Sequence, residues 1–352
     1  MKNILVVDDS ALMRRVICDI INTDELFRAN DVCRDGLEAY EKLKIANYDA
    51  VILDVNMPKM NGLELLEKLH EEKIKATVIM VSTLTTKDAT TTIMAMERGA
   101  VDFVPKPMNI IEARGEEFKN HLLNVLRAVL SCNQEKRNIR ASEKYASPSI
   151  NHHVAPKNIP GNKLVALACS TGGPKALQSV IPYLPANMKA PVVLVQHMPK
   201  GFTKTMAQRL NEISEVIVKE AEDGDTLRSG IVYIAPGGRH MLVRKTPTGH
   251  KIVLSDEAAI GGLKPCANLT YQSLKDCDYN QIICVVLTGM GADGTKGILE
   301  LGKHRPIHTI AQNEETCVVY GMPKSIVDSK VADEIVPLNE IAQAIIKNVG
   351  VK

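Results

Sequence analysis

The chain contains no tryptophan, and aromatic residues make up only 3% of it. Proteins that hold single-stranded nucleic acid stack bases on aromatic rings along a cationic groove, and such a platform is not expected here. Charge of one sign is lacking too: 43 basic residues face 41 acidic ones, for a formal net charge of +2. With no basic stripe, a nucleic-acid partner is not expected. Runs of about 18 apolar residues, the length that spans a bilayer, are absent. The opening residues, MKNILVVDDS, turn acidic and offer no small-residue cleavage site. Neither export nor membrane insertion is expected. The eight cysteines include no Cys-x-x-Cys pair. They fit small buried hydrophobes in a reducing cytoplasm better than a zinc or disulfide framework.

What is present is enough apolar residue, 45% of 352, to fill more than one core. Residues 1–130 alternate apolar runs (Ile4 to Val7, Ala50 to Leu53, Thr77 to Val81, Asp102 to Val104) with helical stretches such as Ser10 to Asn22, Leu63 to Glu71 and Thr86 to Arg98. A last helix is expected from about Ile110 to Leu130. Alternation of this kind implies an α/β fold with a doubly wound parallel sheet. Residues 131–162 are polar and rich in Asn, Ser, Lys and Pro, and are expected to form a flexible linker. The His152-His153 pair within it has no third ligand nearby, so a metal site is not expected there. Apolar strands resume at Leu164, and residues 163–348 form a second α/β domain of the same doubly wound type.

In the first domain Asp8 and Asp9 follow the first strand, Asp54 follows Ala50 to Leu53, and Ser82 and Lys106 follow the next two strands. Open α/β sheets gather such residues at the carboxyl edge. Three carboxylates in one place repel one another unless a hard cation sits among them, which implies Mg²⁺. One carboxylate could then accept a phosphoryl group, with Lys106 pairing to it.

In the second domain three strand ends carry chemistry. Ser170 stands where Leu164 to Cys169 gives way to Thr171-Gly172-Gly173-Pro174, His197 follows Pro191 to Gln196, and Asp293 lies in LTGMGADGTKG after Ile282 to Leu287. A hydroxyl, an imidazole and a carboxylate at equivalent strand ends suit a serine hydrolase, with main-chain amides beside the glycines to receive an oxyanion. Two alternatives stand beside this one. Gly289-x-Gly291-x-x-Gly294 after a strand, with Glu314 and Glu315 further on, has the form of a dinucleotide fingerprint. A signalling adaptor whose second domain binds without catalysis would leave the three side chains apart.

VVDDS, LDVNMP, VSTLT and FVPKP, in that order, resemble the response-regulator receiver family over about residues 1–125. That resemblance implies that Asp54 accepts phosphate and that Asp9, Asp54 and the main-chain carbonyl of Asn56 bind Mg²⁺, with Asp8 assisting through water. It makes Ser82 the switch hydroxyl and Lys106 the phosphate-pairing lysine. ACSTGGPKAL, QHMPKGFT, YIAPGGRHM, LTGMGADGTKG and CVVYGMPKS resemble the catalytic domain of chemotaxis protein-glutamate methylesterases.

The second resemblance implies a cytoplasmic enzyme, recruited to chemoreceptor clusters, that hydrolyses glutamyl methyl esters and deamidates certain glutamines of methyl-accepting chemoreceptors. The catalytic set would be Ser170, His197 and Asp293, with Thr171 and Met290 as neighbours and no cofactor in the esterase reaction. It further implies phosphorylation by the chemotaxis histidine kinase and an unphosphorylated receiver that covers the cleft. One departure is visible: Cys266-Ala267-Asn268 replaces the family's usual Ser-Val-Asp, a change expected to concern only the cleft wall.

Overall fold

The computed structural model describes residues 1–83, 85–107, 109–142 and 159–351, with the backbone alone at 86, 87, 110 and 132–142. The chain divides into two units, Met1–Asn138 and Ile139–Lys352.

The first unit runs β1 (Lys2–Val7), α1 (Ala11–Ile21), β2 (Phe27–Cys33), α2 (Gly36–Ile45), β3 (Ala50–Asp54), α3 (Gly62–Glu71), β4 (Val78–Ser82), α4 (Thr86–Glu97), β5 (Asp102–Pro105), α5 (Ile110–Ala113) and α6 (Glu116–Ser142). Its five strands are parallel in the order β2-β1-β3-β4-β5, a doubly wound sheet that switches direction between β1 and β3. β3 and β4 are buried along their whole length, as strands covered by helices on both faces must be.

β2 escapes a search for apolar runs because only Phe27, Ala29 and Cys33 of its seven residues are buried. It is an edge strand, and Arg28, Asn30 and Asp31 face outward. α6 also differs from expectation: it continues to Ser142, into the segment read as linker. Gln, Glu, Lys and Arg are good helix formers. A polar composition argues against a packed core, not against a helix. The earlier turns of α6 bury Phe118, Leu122, Val125, Leu126 and Val129, and Arg127 pairs with Asp24 at 2.7 Å. His152-His153 lies outside the described residues.

Close packing fixes the turn below the acidic edge. Asn61 caps α3 in a reciprocal box with Glu64, and a methyl group at Gly62 would stand 2.3 Å from the carbonyl oxygen of Asp54. Gly62→Ala must therefore push β3 and α3 apart. We expect a loss of about 1–3 kcal/mol, read as a lowered melting temperature of the first unit's transition in calorimetry. An unchanged transition would show that the contact is relaxed at no cost.

The second unit runs β6 (Lys163–Cys169), α7 (Gly173–Gln178), β7 (Val192–Gln196), α8 (Phe202–Glu212), β8 (Ile217–Glu220), β9 (Ile231–Ile234), β10 (His240–Thr246), β11 (Gly249–Ser255), α9 (Ala267–Ser273), β12 (Gln281–Val286), α10 (Thr295–Gly302), β13 (Ile307–Gln312), α11 (Met322–Asp328), β14 (Glu334–Val336) and α12 (Leu338–Val349). Seven strands form one parallel sheet, β14-β13-β12-β6-β7-β9-β8, and β10 with β11 forms a separate antiparallel hairpin. From β6 the chain builds outward through β7, then returns to β12 on the other side of β6. The switch point lies between β6 and β12, where such sheets open a crevice. Among the described residues no helix is long and apolar enough to cross a membrane.

Candidate active site

β6, β7 and β12 deliver the three expected groups. Cys169 is paired with Gln196 across β6 and β7, so Ser170 and His197 are the next residues at adjacent strand ends. The His197 amide donates to the Cys169 carbonyl at 3.2 Å. On the other side the Ser170 amide donates to the Thr288 carbonyl at 3.0 Å, just past β12. A methyl at Gly289 would lie 2.9 Å from Ser170 Cβ and 2.4 Å from Met322 Sδ. Glycine at 289 is thus explained by the approach of the serine loop.

His197 Nε2 lies 2.9 Å from Asp293 Oδ2, with both side chains almost fully buried. The ring nitrogen left for a proton exchange is Nδ1. Ser170 Oγ makes no hydrogen bond to His197 among the described residues; the pair is brought together by strand register, and catalytic contacts are commonly loose without substrate.

Asp293 is held by donors on both oxygens. Oδ2 accepts from the Ala267 amide at 2.6 Å, and Oδ1 from the amides of Asn268 at 2.9 Å and Gly294 at 3.0 Å and from Cys266 Sγ at 3.3 Å. Burial pushes this carboxyl upward, but His197 and the Asn268 and Ala267 amides more than reverse it and hold it at about 2. Cys266-Ala267-Asn268 is therefore more than cleft wall. The segment lies directly against the carboxylate.

One further feature was not read from the sequence. Gln196, 2% exposed at the end of an apolar strand, donates to the carbonyls of both Ser170 and His197, at 3.0 and 3.1 Å. A buried amide in the run VVLVQ was the available signal. The amides of Gly173 and Gly289 are occupied, donating to the carbonyls of Ser170 and Val319. Those of Thr171 and Met290 meet no protein acceptor among the described residues, Thr171 being buried and Met290 41% exposed.

At the carboxyl edge of the first unit, oxygens of Asp8, Asp9 and Asp54 lie within 4.8 Å of one another. Lys106 Nζ is 2.7 Å from both Asp8 Oδ2 and Asp54 Oδ2. Burial opposes the lysine's charge, but Asp54 and Asp8 outweigh it and raise its pKa above the usual value. Burial pushes Asp54 up to about 6, Asp8 adding to the rise while Lys106 opposes it. An all-oxygen set under this electrostatic load suits a hard cation such as Mg²⁺. Asn56 is exposed and its side-chain amide donates to Asp88 at 2.6 Å. Ser82 is buried, its Oγ accepting from Thr92 Oγ1 at 2.8 Å.

The same two parts emerge from comparison with known proteins. The family model for the CheB methylesterase matches residues 165–345, and that for the response regulator receiver domain matches residues 4–114. A Bacillus subtilis protein named protein-glutamate methylesterase/protein-glutamine glutaminase is 40% identical over 351 residues, covering 98% of each chain. One of the same name from Pyrococcus horikoshii is 39% identical, over 99% of this chain and 94% of the relative. The crystal structure of the Thermotoga maritima CheB methylesterase catalytic domain is similar to 53% of this chain and 99% of its own, at 42% identity and a TM-score of 0.51. Neither the adaptor nor the dinucleotide reading finds support among these relatives, and the glycine at 289 is accounted for by packing against Ser170. With relatives aligned along almost its whole length and a match to both parts in order, the chain belongs to the CheB family of receiver-bearing protein-glutamate methylesterases.

Proposed function

We propose that the second unit hydrolyses γ-glutamyl methyl esters of methyl-accepting chemoreceptors, and the primary amide of certain receptor glutamines, through Ser170, His197 and Asp293. The observation that carries this reading is the buried His197–Asp293 pair beside Ser170 at the switch point of the sheet. His197 Nδ1 takes the Ser170 proton as Oγ bonds to the ester carbonyl carbon; the C–OCH₃ bond breaks, and methanol leaves with that proton. Water then repeats the sequence on the acyl-serine and frees the carboxylate. The amides of Thr171 and Met290 are the candidates to receive the oxyanion. Its partners hold Asp293 at about 2, so this carboxylate stays ionised through the neutral range and can stabilise positive charge on the ring.

The first unit would regulate the second. Asp54 is the phosphoacceptor, Lys106 pairs with the incoming phosphoryl oxygens, and Ser82 is the hydroxyl that responds. Asp8, Asp9, Asp54 and the Asn56 carbonyl would hold Mg²⁺, whose charge offsets that of the phosphoryl group. The phosphodonor would be a chemotaxis histidine kinase, and the site of action the cytoplasmic receptor cluster. Methanol release from methylated receptor membranes, measured with and without a small-molecule phosphodonor, tests both units together. Release that rises with phosphodonor is expected. A chain that releases no methanol in either condition overturns the esterase reading.

A further inference from the structure

We propose that Asn268 is a positioning residue of the active site, which caps α10 from outside that helix and leaves Asp293 as the one carboxylate paired with His197 among the described residues; the inference rests on the esterase reading above.

A helix begins with amides that have no partner within it, and a side-chain oxygen at the N-cap usually satisfies one or two of them. The N-cap of α10 is Gly294, which has no side chain to offer. Asn268, in the first turn of α9, supplies the oxygen instead. Its Oδ1 accepts from the amides of Gly294 at 3.1 Å and Gly297 at 2.7 Å. Its own amide donates to Asp293 Oδ1 at 2.9 Å. One residue thereby holds the start of α10 and the carboxylate next to that start in fixed relation.

The chemistry of the cap matters as much as its place. Every hydrogen bond made to Asp293 is donated by a neutral amide, the Cys266 thiol or His197, and no lysine or arginine pairs with it among the described residues. Burial pushes the Cys266 thiol up to about 11, so it stays a donor and adds no charge. An aspartate at 268 would accept the same two amides and gain from the helix dipole. It would also set a second carboxylate beside the first. With asparagine the cap is made without that charge, and Asp293 stays the one acid paired with the imidazole among the described residues.

The test uses the full chain and compares Asn268→Ala with Asn268→Asp. Losing the cap in Asn268→Ala is expected to lower kcat for methanol release roughly ten- to hundredfold with KM little changed, since Asp293 is no longer aimed. Asn268→Asp restores the cap and should return kcat at alkaline pH to within a few-fold of wild type. The added charge favours the imidazolium, so His197, followed by its ring proton in NMR without substrate, should titrate about half to one pH unit higher. The acid limb of kcat/KM should move the same way. A His197 titration in Asn268→Asp that superimposes on wild type overturns the inference, as does an Asn268→Ala enzyme with undiminished kcat. If Asn268→Ala does not fold, the Asn268→Asp titration decides alone. A wild-type chain that releases no methanol overturns the esterase reading instead, and leaves the substrate-free titration to judge Asn268.

Discussion

Ser170→Ala is expected to lower methanol release about a thousandfold or more while leaving KM near its original value, because removing a nucleophile removes covalent catalysis but not the cleft. The fold has little reason to change. Ser170 holds its neighbours through main-chain groups: its amide donates to Thr288, and its carbonyl accepts from Gly173 and from Gln196. Alanine keeps all three. The shape of the loss is informative as well as its size. His197 and Asp293 stay paired in the variant, so whatever hydrolysis remains reports what an oriented imidazole and the neighbouring amides do to a bound ester with water as nucleophile. Circular dichroism matched to wild type would exclude unfolding. Retention of more than about a tenth of the rate would move the nucleophile to another residue.

Asp54→Asn should abolish stimulation by a phosphodonor without removing the basal esterase. Coupling between two sites commonly amounts to 1–3 kcal/mol, so stimulation of the wild type by roughly 5–150-fold is the scale to expect, and the variant should show none. Asparagine is nearly isosteric, and its side chain can still meet Lys106. It cannot form an acyl phosphate. The buried carboxylate that burial pushes up to about 6 is also removed, so the receiver should not be weakened by the change. Equal stimulation of wild type and variant would place the phosphoacceptor elsewhere; loss of basal activity as well would show that Asp54 supports the fold of more than its own unit. The two variants answer separate questions, since Ser170→Ala is expected to silence the reaction and Asp54→Asn only its control.

What could be seen beforehand was set by where side-chain type alone carries the information. Buried parallel strands announce themselves, because short continuous apolar runs such as Val51 to Leu53 or Leu164 to Ala168 have few other uses. The residues just past such runs fall on one edge of a sheet whatever the rest of the chain does. Asp54, Lys106, Ser170, His197 and Asp293 could therefore be found from strand ends. β2 could not, since an edge strand with three buried positions has no run to show.

The end of α6 was missed for a different reason: a polar helix and a polar coil share a composition. The surroundings of Asp293 were beyond reach in a third way. Three of its donors are the amides of Ala267, Asn268 and Gly294, and a main-chain amide has no letter of its own. The departure at Cys266-Ala267-Asn268 was visible, but its importance depended on α9 lying against the turn before α10, a tertiary fact. Which imidazole nitrogen meets Asp293 is equally a matter of ring orientation, and only coordinates give it.

The strands that lead to Ser170, His197 and Asp293 are β6, β7 and β12, the middle three of seven. In partial-opening experiments the margins of a sheet exchange their amide hydrogens first and its centre last. β14 and β8 can thus detach and return without disturbing the reacting groups. Loss of esterase activity on heating should then coincide with cooperative melting of the whole catalytic unit rather than precede it, and turnover becomes a thermometer of global unfolding for this half of the chain.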